Sequence, residues 1–176
     1  MQDKIILGLL LLKDMTAYDV KKAIEKSTAF FYNASMGSIH PALKKLDAAK
    51  NISAENQLEN GRAKKLYRIT DSGRAVFSSW LEQGISMPKF KDETLVKVFF
   101  QGHLTAAQQK QNLLEYIAEI DQQIKVLELI QQQSQQVDVP ANMESHAVFQ
   151  LATLDYGLQY CRFTRNWYQD FVDRTF

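Results

Sequence analysis

The chain has 176 residues, 45% of them hydrophobic and 23% charged, which is ordinary globular usage and enough for one domain or two small ones. These values exclude a wholly disordered chain, a collagen-like repeat and a disulfide scaffold. The single cysteine, Cys161, has no internal partner and fits a reducing compartment, while a net charge of +1 names no binding partner.

In chain order, Ile5–Leu12 comes first, apolar almost all round, as expected of a helix sunk in a small core. It falls far short of the ~20 residues that cross a bilayer. Asp3 and Lys4 ahead of it do not make a signal-peptide start, so a soluble, cytoplasmic protein without a membrane partner is expected. Thr16 is placed to cap a helix over Ala17–Lys26, with Val20, Ala23 and Ile24 on one face. Asn33 or Ser35 opens a third helix, whose inner face carries Ile39, Leu43 and Leu46 and whose outer face offers Ser38, His40, Lys44 and Lys45. Ile52–Leu58 alternates weakly, a turn follows at 59–62, and 66–70 resumes as a strand. A fourth helix begins at Asp71, with Ala75, Val76, Trp80 and Leu81 facing inward.

The second part is nearly all helix. A short apolar helix spans 93–102. Thr105 caps a long one, in which Leu113, Ile117, Ile120, Ile124 and Leu127 recur at heptad spacing. After a Gln-rich tract and a loop at Pro140, a last helix runs from about Met143 to Val172 with two apolar stripes. One holds Leu151, Leu154, Leu158, Cys161, Tyr168 and Val172; the other holds Phe149, Tyr156, Tyr160, Phe163, Trp167 and Phe171. Two apolar stripes need two partners, and the second is expected to be another copy of the chain. Leu151, Leu154, Leu158, Cys161, Phe163, Trp167 and Tyr168 are the expected dimerisation residues.

The organisation this predicts is mainly α. A winged helix-turn-helix over 1–83, of three or four helices plus a two-stranded wing, precedes a linker at 84–92 and a helical dimerisation domain over 93–176. Charge divides the same way. Residues 1–83 carry thirteen Lys and Arg against nine Asp and Glu, and residues 84–176 carry eight against eleven.

The basic part suits double-stranded DNA. A recognition helix presents its amino-terminal side chains to base edges, and flanking cations neutralise phosphate. Ser35, Ser38 and His40 have the first character, Lys44 and Lys45 the second. Arg62, Lys64 and Lys65 make a basic hairpin tip able to reach the backbone and the minor groove. Enzyme chemistry has little support. His40, His103 and His146 have no metal-ligand spacing, no Gly-rich phosphate loop or nucleophile elbow is present, and neither a metal nor a cofactor is expected.

The stretch Ser35-Met36-Gly37-Ser38-Ile39-His40-Pro41-Ala42-Leu43-Lys44-Lys45-Leu46 resembles the recognition helix of the PadR family of bacterial transcriptional regulators. Gly61-Arg62-Ala63-Lys64-Lys65-Leu66-Tyr67-Arg68-Ile69-Thr70-Asp71-Ser72-Gly73 resembles its wing and the start of its fourth helix. The second part resembles, by pattern, the C-terminal domain of the larger, AphA-like virulence-activator subgroup. The resemblance implies a homodimer on a roughly palindromic operator, with Tyr18, Ser35, Ser38, His40, Lys44, Lys45, Arg62, Lys64 and Lys65 near DNA. His40 stands where the family usually has Tyr, and Asn51 where it commonly has Gly, which implies Asn51 as the left-handed stop of the third helix. Some relatives respond to small aromatic molecules, which implies a candidate effector site at Tyr156, Tyr160, Phe163 and Trp167, although an aromatic stripe of this kind is more often dimer core.

Overall fold

The structure, a computed structural model, describes the backbone of residues 1–28, 30–59, 62–87 and 91–176, and the side chains of all these except 58, 59, 62 and 63. The chain forms two compact units, Met1–Met87 and Pro88–Phe176.

The first unit is a winged helix-turn-helix: α1 (Gln2–Leu10), β1 (Met15–Thr16), α2 (Ala17–Ser27), α3 (Met36–Ala48), β2 (Ile52–Glu59), β3 (Arg62–Ile69) and α4 (Asp71–Leu81). Its core gathers Ile6, Leu7 and Leu10 of α1, Val20 and Ile24 of α2, Ile39, Leu43 and Leu46 of α3, and Ile52 and Ile69 of the sheet. α1 ends earlier than its apolar run predicts, and Leu11 and Leu12 lie beyond it, exposed. Thr16 closes a full capping box with Asp19 at the start of α2.

The wing is larger than a two-stranded hairpin. β1 adds to the free edge of β3, pairing Met15 with Tyr67 and Thr16 with Leu66, to give the order β1-β3-β2. Two residues with no periodicity of their own carry no strand signal, so this pairing is invisible until the chain has folded. β3 also begins at Arg62, ahead of the 66–70 stretch the alternation picks out.

α3 stops in a Schellman arrangement. Asn51 N–H donates to the Leu46 carbonyl at 3.0 Å and Lys50 N–H to the Asp47 carbonyl at 2.9 Å. The left-handed residue is Lys50, with φ of 57°, rather than Asn51. In α4 the inward side chains are Val76, Phe77 and Trp80, while Ala75 and Leu81 are exposed. The start of α4 presses so closely on the α3–β2 junction that only glycine fits at Gly73, where a Cβ would collide with the Asn51 carbonyl.

The second unit contains α5 (Glu93–Phe100), α6 (Ala106–Ser134) and α7 (Glu144–Thr175). Thr105 caps α6 with Gln108 in a second capping box. α6 and α7 pack antiparallel. Leu113, Ile117, Ile120 and Leu127 are buried on α6, with Ile124 half-buried, and Gly157, Leu158, Cys161, Tyr168 and Val172 are buried on α7. Tyr116 and Tyr168 meet edge to face at 4.9 Å between ring centroids. Two ion pairs flank the seam, Arg162 to Glu128 at 2.7 Å and Arg165 to Asp121 at 3.2 Å. Among the described residues no helix is long and apolar enough to cross a membrane.

Candidate nucleic-acid interface

α3 turns Ile39, Leu43 and Leu46 into the core, which fixes what its other side presents. At 100° per residue the outermost line is Gly37, Pro41, Lys44 and Ala48, all exposed. Ser38 and Lys45 flank this line on one side, and His40 and Asp47 on the other. The crest of the helix is therefore small, apart from Lys44. A helix with so little on its crest can bring its backbone close to a groove floor while longer side chains reach to either side. Sequence reasoning singled out the polar residues and missed Gly37 and Pro41 as part of the surface. Their four-residue spacing was the available signal.

Pro41 lies in the second turn of α3 and has no N–H to give to the Gly37 carbonyl. Ser35 is the N-cap residue, yet its hydroxyl makes no capping bond. Ser38 is more committed than the sequence implies. Its hydroxyl donates to the Ser35 carbonyl at 2.9 Å and accepts from Gln2 Nε2 of α1 at 3.1 Å. His40, Lys44 and Lys45 are exposed.

Tyr18 is 60% exposed at the start of α2, with Lys22 Nζ 5.6 Å from its ring centroid. Lys21 and Lys22 both pair with Glu25 at 3.2 Å. Asp19 has its carboxyl held below the usual range, first by its hydrogen bonds to Thr16 and then by the charges of Lys13 and Lys64.

On the wing, Gln57 faces Lys64 and Asn56 faces Lys65. Adjacent strand residues point to opposite faces, so Lys64 and Lys65 cannot both meet the same stretch of phosphate. Lys65 shares its face with Tyr67 and Ile69, and Lys64 shares the other with Arg68. Arg68 is paired with Asp14, through Nε at 2.8 Å and a terminal nitrogen at 2.7 Å. That bond ties β3 to the segment entering β1. Tyr67 packs half-buried on the core, and burial pushes its phenol up, with the Asp47 charge adding to the effect. Gly61 and the side chain of Arg62 lie outside the described residues.

In the second unit, Leu158, Cys161 and Tyr168 face inward. They are buried against α6 within the protomer, as the edge-to-face contact of Tyr168 with Tyr116 shows. Burial likewise raises the Cys161 thiol above its usual range, as expected of a small buried hydrophobe. Leu151 is exposed and Leu154 half-buried. The exposed stripe is Phe149, Tyr156 and Phe163, at seven-residue intervals and 72%, 65% and 69% exposed, with Tyr160 and Trp167 beside it. Tyr156 and Tyr160 stack at 6.4 Å, and Trp167 stacks on Phe171 at 5.6 Å.

Residues 6–79 match the transcriptional regulator PadR-like family, and residues 90–174 match the virulence activator alpha C-terminal family. The chain belongs to the PadR family. Membership of a family of transcriptional regulators sets the enzyme reading aside. The chain is similar to the negative transcriptional regulator PadR of Bacillus subtilis, 32% identical over 97 residues, 54% of this chain and 53% of that protein. It thus spans about half the length of the curated relatives it matches. The fold likeness extends further. The Bacillus subtilis PadR structure in complex with operator DNA superposes with a TM-score of 0.82 at 21% identity, covering 98% of this chain and 97% of that one. The same regulator with p-coumaric acid gives 0.76 at 22% identity, covering 97% and 92%. The smu.1604c structure from Streptococcus mutans gives 0.81 at 26% identity, covering 97% and 98%.

Proposed function

We propose that this protein is a sequence-specific DNA-binding regulator that occupies a roughly palindromic operator as a homodimer. The observation that carries this reading is the outward face of α3. Every large apolar side chain of the helix's middle turns is spent on the core, leaving a low crest flanked by Ser38, Lys45 and His40. α3 enters the major groove by its amino end, and Lys44, Lys45 and the wing lysines hold phosphate. The operator complex of Bacillus subtilis PadR, which has the same fold, supports this assignment. Dimerisation is assigned to the exposed stripe Phe149, Tyr156 and Phe163, whose heptad spacing suits a second helix.

The test is fluorescence anisotropy of the full chain on DNA from its own upstream intergenic region and on random DNA, across a salt series. Tighter binding to the first, weakening steeply with salt, is the expected result. Lys44→Ala with Lys45→Ala lowers the slope of log K against log salt by about 1 for each phosphate that the removed ammonium group neutralises in the native protein. Equal binding to both DNAs at every salt concentration counts against the reading.

A second reading adds an effector. The stacked pair Tyr156 and Tyr160 offers flat apolar faces with phenolic tips, and Bacillus subtilis PadR has been solved with p-coumaric acid. A small planar aromatic acid bound in the second unit would quench Trp167 fluorescence saturably, and absence of quenching removes this reading.

A further inference from the structure

Gln2 lies far from any segment expected to read DNA, yet its side chain ends on the recognition helix. Its Nε2 donates to Ser38 Oγ at 3.1 Å, and Ser38 Oγ donates onward to the Ser35 carbonyl at 2.9 Å. A serine hydroxyl has one hydrogen and two lone pairs. The hydrogen is spent on Ser35 and one lone pair on Gln2, so what remains is a single acceptor site. We propose that Gln2 is a positioning residue for sequence readout: it fixes Ser38 as an acceptor and so selects an amino group, of adenine or cytosine, at the base Ser38 faces. This rests on the DNA-reading function proposed above.

The chemistry is specific because the major groove presents both kinds of partner. Adenine N6 and cytosine N4 donate; guanine O6 and N7 and thymine O4 accept. A freely rotating hydroxyl satisfies either and discriminates poorly. A hydroxyl whose proton is already committed leaves an accepting base edge unpaired at the contact, which is the costly outcome. Gln2 touches no DNA in this scheme. It acts through Ser38, and α1 carries it as a rigid arm because Ile6, Leu7 and Leu10 are anchored in the core.

The experiment selects duplexes from a random double-stranded DNA library with the full-length wild-type protein, then measures affinities of single-site analogues for wild type, Ser38→Ala, Gln2→Ala, Gln2→Met and the double variant Gln2→Met with Ser38→Ala. At the position whose preference Ser38→Ala abolishes, replacing adenine by purine, or cytosine by its analogue lacking the amino group, is expected to weaken wild-type binding about three- to tenfold. Gln2→Met keeps the side chain's length without its donor, and it is expected to shrink that penalty to less than about twofold with the salt slope and melting temperature unchanged. In the double variant Gln2→Met adds nothing to Ser38→Ala. If the penalty survives intact in both Gln2 variants, or falls on a carbonyl-bearing base instead, the role of Gln2 is overturned while the regulator reading stands. If wild type enriches no sequence, the regulator reading fails and this proposal with it.

Discussion

The Asn51 carbonyl lies where a β-carbon on Gly73 would have to be, and it also accepts the Thr70 N–H at 3.1 Å. Around this contact Thr70 Oγ1 donates to the Lys50 carbonyl at 2.7 Å and Ser72 Oγ to Asn51 Oδ1 at 2.9 Å. The end of the recognition helix and the start of α4 are thereby joined into one rigid corner. Gly73→Ala puts a methyl group into backbone that cannot yield, and we expect a loss of at least ~2 kcal/mol, measured by urea denaturation. A loss below half of that would mean the corner can relax.

Lys50 at the same corner occupies the left-handed region, with φ of 57°, where a β-carbon is unfavourable. Lys50→Gly is expected to stabilise the fold by about 0.5–1 kcal/mol, since glycine is the usual residue at this position of a Schellman stop. The rise in melting temperature should appear without a change in the far-ultraviolet circular dichroism spectrum.

At Gly37 a β-carbon would meet only Ser35 Oγ, at an ordinary 3.6 Å. Stability therefore does not require glycine there. Gly37→Leu should leave the melting temperature unchanged or slightly higher, because leucine is the better helix former. It should weaken binding to selected DNA at least about tenfold, because the side chain stands between helix and groove floor. Retained affinity would show that the crest of α3 does not approach the bases.

Two aromatic residues on α7 separate intramolecular from intermolecular packing. Phe163 is 69% exposed, and Phe163→Asp is expected to shift the protein toward monomer in light scattering while its helicity persists. Tyr168 is 3% exposed, and Tyr168→Asp should unfold the second unit, with loss of helicity at any concentration. A dimer that survives Phe163→Asp would place the interface on another face.

Tyr168 also sets an alkaline limit. Burial, with the neighbouring Tyr116 and Asp92 adding to it, pushes its phenol up to about 12. The folded state favours the neutral phenol, so its stabilising contribution is complete below the ordinary value of about 10 and is lost as pH rises from there to about 12. That shift corresponds to roughly 3 kcal/mol, and the fall in stability over this range should be shallower in Tyr168→Phe.

The sequence makes legible the first unit's helices, the caps at Thr16 and Thr105, and the inward faces of α3 and α6. Each is a local matter: a capping oxygen three residues from its amide, or a side-chain spacing that only a helix turns into a face. It also marked Ser38, His40, Lys44 and Lys45, since turning Ile39, Leu43 and Leu46 inward leaves those residues outside. Tertiary structure decided what depends on residues remote in the chain. The strand at Met15–Thr16 exists because β3 has a free edge, and the loss of Leu81 from the α4 core follows from how that helix lies on α1. Ser38 is no free hydroxyl because Gln2, thirty-six positions earlier, reaches it. Of two apolar stripes on α7, periodicity could not say which belonged to the protomer. The antiparallel packing of α6 claimed Leu158, Cys161 and Tyr168 and left Phe149, Tyr156 and Phe163 exposed, because a helix pair buries one face only.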